Sequence, residues 1–205
     1  DILADVHLGR ISVSTVTQLQ TVIAKTLDYE KETCAGNDGW YERALLVGDP
    51  SSSGQSTITT NKFVKEVIEA HNPNFSFTEI YSGSFSSQMN TALANGVSYF
   101  NYRGYWGMSN FSWSASNGCM TPFSVVITCD TGSFSNGTSD SETYLRLVTA
   151  TTPSGAIGAI GTATIGTHTC FNNSVSTGIA HGMYVDGIYR MGGALTRGKV
   201  NLFMQ

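Results

Sequence analysis

The segment Pro122-Phe123-Ser124-Val125-Val126-Ile127-Thr128-Cys129-Asp130-Thr131-Gly132-Ser133-Phe134 decides how the rest of the chain is read. Phe123 to Thr128 is rich in aromatic and β-branched residues and is bounded by a proline before it and an Asp-Thr-Gly turn after it, the composition of a strand between breakers. A cysteine stands at its carboxyl end, where the backbone leaves the sheet.

Moving outward, Ala44 to Gly48 is a continuous apolar run ahead of Asp49-Pro50, which suits a strand buried on both faces. Val6 to Ile11, Phe77 to Tyr81, Val97 to Tyr102 and the glycine-rich stretch Gly155 to Ile165 also read as strands. Between them lie segments with helical spacing. Ser14 or Thr15 caps a helix with Val16, Leu19, Ile23 and Leu27 on its apolar stripe. Thr60 to Ala70, Ser86 to Asn95 and Ser141 to Ala150 are further helices, and Ser176 to Phe203 reads as helical with glycine punctuation. Strands that alternate with helices predict βαβ units and a single α/β domain over residues 1–205, a three-layer α/β/α sandwich around a mainly parallel sheet. The functional crevice of such a sheet lies beyond the carboxyl ends of its strands.

The net charge of −4 with no basic run excludes a nucleic-acid footprint. No stretch reaches 18 consecutive apolar residues, the least that spans a bilayer as a helix. The four cysteines, at 34, 119, 129 and 170, include no C-x-x-C pair, so zinc-ligand spacing is lacking. Cys34 and Cys119 lie in polar, glycine-containing loops and can pair if the protein is exported. Residues 1–10 carry neither an initiator methionine nor a signal-peptide pattern, which suggests that the chain begins inside a larger precursor or after processing.

Four expected strand ends carry reactive side chains: Asp49, then Arg103-Gly104-Tyr105-Trp106-Gly107, then Cys129-Asp130, then Thr167-His168. In a parallel sheet these converge on one edge, and a thiol, an imidazole, a carboxylate and a guanidinium together are the components of cysteine-nucleophile catalysis. Singly, each has an ordinary structural reading. A cysteine after a strand is a small hydrophobe, Asp49-Pro50 a turn, Arg103 a capping group, His168 a surface histidine, and Tyr105-Trp106 packing.

Two segments add a resemblance. Gly96-Val97-Ser98-Tyr99-Phe100-Asn101-Tyr102-Arg103-Gly104-Tyr105-Trp106-Gly107 resembles the strand of the gingipain-like cysteine peptidases that ends in a Gly-His-Gly motif, and Pro122 to Phe134 resembles the next strand, which ends in their catalytic cysteine. Glu142, Gly155 to Gly161 and Asp5 to Ile11 also look like landmarks of that family, so the similarity covers nearly the whole chain. It implies a caspase-like fold, an exported bacterial protein at the cell surface or secreted, other domains of the same precursor as partners (among them an N-terminal subdomain outside this chain), and a polypeptide substrate. No cofactor or metal is implied; an oxygen-ligand site built on Asp5, Asp49 or Asp130 has no recognisable calcium loop behind it.

Carried over residue by residue, Cys129 takes the nucleophile position, the backbone N–H groups of Gly104 and Cys129 the oxyanion position, and Tyr105 the place of the family's histidine. The substitution matters chemically. A thiol with an ordinary pKa of about 8.5 is only slightly ionised at neutral pH, and a tyrosine titrating near 10 neither takes its proton nor returns one to a leaving amine. The expected outcome is a catalytically weakened or inactive domain, unless His168 steps in from the opposite flank, with Arg103 lowering the thiol electrostatically. Arg103, Trp106, Asp130 and Thr167 are the expected substrate contacts. The rival expectation is a non-catalytic binding or structural module that presents Tyr105, Trp106, Phe111 and Trp113 as an aromatic surface.

Overall fold

The computed structural model describes residues 5–31, 34, 36–135, 137–149 and 152–204. Its strands are β1 (Arg43–Gly48), β2 (Ser76–Ile80), β3 (Tyr99–Arg103), β4 (Phe123–Val126), the two-residue β5 (Val148–Thr149) and β6 (Thr152–Pro153), and β7 (Gly158–Gly161). β5 and β6 pair only with each other; the other five form one sheet in the order β2-β1-β3-β4-β7, with every neighbouring pair parallel. β4 is therefore interior, between β3 and β7, and all four of its residues are buried.

Helices cover both faces: α1 (Val16–Glu30), α2 (Ser56–His71), α3 (Phe85–Ala94), α4 (Asp140–Arg146), α5 (Thr169–Tyr184) and α6 (Met191–Phe203). The two-residue period of a strand sorts the core. Ala44 and Leu46 pack with Val64 and Ile68 of α2, Ile179 of α5 and Ala194 of α6. Leu45 and Val47 pack with Met89 and Leu93 of α3, Tyr144 of α4 and the loop residues Phe111 and Trp113. The α/β/α sandwich is the observed architecture. α2 and α5 are held over the sheet by a buried amide network: Asn101 Nδ2 donates to Asn61 Oδ1 at 2.8 Å, and the Ser176 hydroxyl donates to Asn101 Oδ1 at 2.9 Å.

Several local expectations change. Val6–Ile11 forms no strand; Val6, Leu8 and Ile11 are exposed, with no neighbouring strand to satisfy the backbone. The first helix is capped by Thr15, whose hydroxyl accepts from Gln18 N, but Val16, Leu19, Ile23 and Leu27 face solvent while Val22 and Lys25 are buried. The helix expected at Ser141 to Ala150 ends at Arg146; residue 150 lies outside the described residues. The last strand shortens to Gly158–Gly161, and the expected carboxyl-terminal helix is two helices broken between Tyr184 and Met191.

A disulfide joins Cys34 to Cys119, with Cα atoms 5.8 Å apart. Cys34 precedes β1 and Cys119 precedes β4, so the bridge ties the segment after α1 to the β3–β4 connection. At the same end of the sheet the buried Lys25 ammonium donates to the carbonyls of Leu145 (2.8 Å) and Ala156 (3.2 Å). Burial lowers its pKa from the ordinary lysine value to about 7.

Candidate active site

The tip of β4 is fixed from both sides. The Thr128 hydroxyl donates to the Gly104 carbonyl at 3.1 Å, joining it to the end of β3. On the other side Asp130 N and Gly132 N donate to the carbonyls of Thr164 (3.0 Å) and Thr162 (2.9 Å) after β7. A Cβ on Gly132 would sit 2.8 Å from the Gly161 carbonyl carbon, so this approach needs a glycine. The turn is tight: Asp130 has φ +63°, a left-handed conformation that aspartate tolerates better than most residues.

Cys129 sits in this turn, half-buried and free of any disulfide. Its sulfur lies 3.3 Å from Thr167 Oγ1 and 4.0 Å from the Thr167 carbonyl oxygen. Asn172 Nδ2 donates to the same Thr167 Oγ1 at 2.8 Å. With one lone pair of the hydroxyl taken by an amide donor, its proton is free to point at the sulfur. Burial pushes the Cys129 thiol up, but the Thr167 hydroxyl and backbone hydrogen bonds at Thr167, Gly166 and Cys129 outweigh it and hold the thiol below its ordinary value.

Arg103 closes β3 with no exposed surface, which removes it from the expected substrate contacts. Its Nε donates to Asn173 Oδ1 at 2.8 Å and its Nη2 to the Thr169 carbonyl at 3.4 Å, while Nη1 is buried without a partner. Among the described residues no carboxylate pairs with it. Burial lowers its pKa to about 10, opposed by its attraction to Tyr102 and Cys129. The guanidinium thus pins the first turn of α5, and with it the Thr167 segment, while placing a positive charge behind the thiol.

His168 is where the sequence and the structure part. It is exposed and caps α5; its Nδ1 accepts from Cys170 N at 3.3 Å and lies 3.1 Å from Cys170 Sγ. Cys129 is not among its hydrogen-bond partners. Thr167, one residue earlier and expected to touch substrate, is instead the side chain on the sulfur. Neither Thr167's contact nor Asn172 behind it was legible, because both depend on where the first turn of α5 begins.

The sulfur opens on a cavity of about 150 Å³ lined by Trp106, Gly107, Cys129, Asp130, Ser133 and residues 138–140. The wall is mostly polar. Burial, with the nearby charge of Asp130 adding to it, raises the Asp140 carboxyl above its ordinary value. Trp106 and Tyr105 are both more than half exposed. Phe111 and Trp113, expected to join them in an aromatic surface, are buried in the core against Phe100 and Tyr144. Gly104 is buried, and a Cβ there would meet the Tyr102 hydroxyl at 2.4 Å. Beyond Trp106 the chain winds the wrong way for L-residues: Gly107, Met108, Ser109 and Asn110 have φ between +48° and +81°. Such backbone costs roughly 1–2 kcal/mol per non-glycine residue. Ser109 Oγ anchors it to the Tyr102 hydroxyl (2.9 Å) and to the Asp49 carboxylate. Among the described residues no group of three metal-ligating side chains occurs.

A family model, Peptidase family C25, matches residues 1–205. Gingipain R2 and gingipain R1, both from Porphyromonas gingivalis, are each 26% identical to the chain over 148 residues, 63% of this chain and 19% and 14% of theirs. The crystal structure of the Arg-specific cysteine proteinase gingipain R superposes on all of this chain and 51% of its own, with TM-score 0.83 and 21% identity. The complex of Porphyromonas gingivalis RgpB pro- and mature domains matches at TM-score 0.84 and 21% identity over 52% of that chain. This chain thus spans less than a fifth of those curated relatives and about half of the solved structures. With the fold, the strand-end cysteine and the full-length family match in agreement, the chain belongs to the gingipain-like cysteine peptidases of family C25.

Proposed function

We propose that Cys129 is the nucleophile of a cysteine-peptidase site acting on polypeptides, slowed at proton transfer because Tyr105 stands where the family has histidine. The observation that carries this reading is a half-buried sulfur at the tip of an interior strand, facing a polar cavity and held by a hydroxyl donor. In this scheme Thr167, oriented by Asn172, and the buried Arg103 favour the thiolate. The thiolate attacks a carbonyl carbon of a polypeptide lying across the cavity, and the backbone N–H groups of Gly104 and Cys129 receive the developing oxyanion. General acid–base help is typically worth roughly 10²–10⁴-fold, and that is the part a tyrosine does not supply.

The Cys34–Cys119 disulfide supports an exported protein, since such bonds persist in oxidising compartments. The remaining length of the relatives supports further domains beside this one. A second reading, a peptide-binding module, is favoured by the exposed pair Tyr105 and Trp106 beside the cavity.

Labelling with a peptidyl chloromethyl ketone tests both. We expect an alkyl adduct on Cys129, at a rate above that of iodoacetamide because the peptide is held in the cleft. If Cys129 reacts with iodoacetamide but not with the peptidyl reagent, the substrate-cleft reading is wrong. Peptide binding that survives in Cys129→Ala without labelling in the wild type supports the module.

A further inference from the structure

We propose that Cys129 takes acyl groups from esters and thioesters far more readily than from amides, and then holds the acyl group as a long-lived thioester. This rests on the reading of Cys129 as a nucleophile and names the acyl donors that such a nucleophile serves. The surroundings of the sulfur divide the requirements of acyl transfer into those met and those missing. Stabilisation of the thiolate is met by the Thr167 hydroxyl at 3.3 Å, the Asn172 amide that orients it, and the buried Arg103 guanidinium, which no carboxylate pairs with among the described residues. Proton delivery is missing: the His168 imidazole is engaged with Cys170, and Arg103 is buried and holds its protons.

The consequence follows from bond accounting. The sulfur lone pair forms the C–S bond, and collapse of the tetrahedral intermediate breaks the bond to the leaving group. A phenolate or thiolate departs with its electron pair and needs no proton in that step. An amine must be protonated as the C–N bond breaks, or it does not leave. Acylation by an ester therefore keeps its rate, whereas acylation by an amide forfeits roughly 10²–10⁴-fold. Deacylation suffers too, since attack by water on the thioester needs a base to take its proton. Asp140 is the one carboxyl of the cavity wall raised by burial, and it is the rival proton donor at acidic pH.

The test pairs two acetyl donors, p-nitrophenyl acetate and p-nitroacetanilide, at mildly acidic and mildly alkaline pH. For the ester we expect a burst of nitrophenolate stoichiometric with the chain, slow turnover after it, and an acetyl adduct mapped to Cys129. The anilide gives no burst at either pH. Thr167→Val slows the burst roughly tenfold and Thr167→Ser restores it, which a purely structural role for the side chain would not produce. Cys170→Ala leaves the burst intact. Anilide turnover at a rate near the ester's overturns the proposal while keeping Cys129 as a nucleophile; if Asp140→Asn removes that turnover at acidic pH, Asp140 is the missing acid. An adduct on Cys170 with none on Cys129 sinks both this proposal and the reading beneath it.

Discussion

The four cysteines divide between the two ends of one sheet, and the two ends are built differently. Before the strands, Cys34 and Cys119 are joined, and Lys25 donates to two backbone carbonyls close by. After the strands, Cys129 and Cys170 are free, each beside a side chain of the same segment, Thr167 for the first and His168 for the second. The amino end is closed covalently, although Trp40 Nε1 and Thr121 Oγ1 are buried there without partners. The carboxyl end leaves the Cys129 thiol facing a cavity, with the Arg103 guanidinium buried behind it. One chain thus sorts its thiols into a bridged pair and two free groups by which side of the strands they fall on.

The strongest way to break this division is Cys129→Ala. It should abolish acylation and peptidyl labelling at the tip of β4 while alkylation of the exposed Cys170 continues, as peptide mapping would record. Next in size is the amino end. Replacing Cys34 and Cys119 together by alanine removes a crosslink over a sequence separation of 85, which should cost about 2–4 kcal/mol in urea unfolding. The pH profile of Cys129 alkylation should stay where it is; a shift would show that the two ends are mechanically one.

A smaller effect separates the two free thiols. Thr167→Val removes a hydrogen bond to a charged sulfur, worth about 1.5 kcal/mol, and should raise the midpoint pH of iodoacetamide alkylation at Cys129. His168→Ala should leave that midpoint unmoved and change only the profile of Cys170. If His168→Ala moves Cys129 instead, the imidazole reaches the nucleophile and the sequence expectation was right.

The smallest effect is a slope. Lys25 has its folded pKa depressed to about 7, so between there and the ordinary lysine value near 10.4 the unfolded chain binds a proton that the folded chain does not. Stability from this group is therefore complete above the unfolded value and declines as pH falls toward 7. Urea midpoints at pH 7 and pH 10 should differ more in the wild type than in Lys25→Met.

Much of the scaffold was readable. The apolar runs of β1 and β4 are buried on both faces, as an interior parallel strand requires, and the helical segments between them settle the layers. Val6–Ile11 misled because alternation alone does not supply a neighbouring strand. The stripe of α1 misled because helical spacing says which residues share a face and not which face turns inward; the buried side carries Lys25, a residue no hydropathy pattern would choose. At the site, strand-end position points to Cys129, Trp106 and Asp130, which line one cavity. It offers Arg103 as a substrate contact, whereas that side chain is buried beneath the first turn of α5. It favours His168 as the partner of the thiol by chemical type, whereas the imidazole caps α5 beside Cys170 and the Thr167 hydroxyl lies on the sulfur.

The backward-wound stretch from Gly107 to Asn110 has one more implication. A loop whose own preferences oppose its shape is moulded from outside, and here the mould is the hydroxyl of Tyr102 and the carboxylate that ends β1. Asp49 is thus spent as a peg for the rim of the cleft. An alteration at that strand, far along the sequence from the thiol, would be registered first as a displaced Trp106 at the doorway.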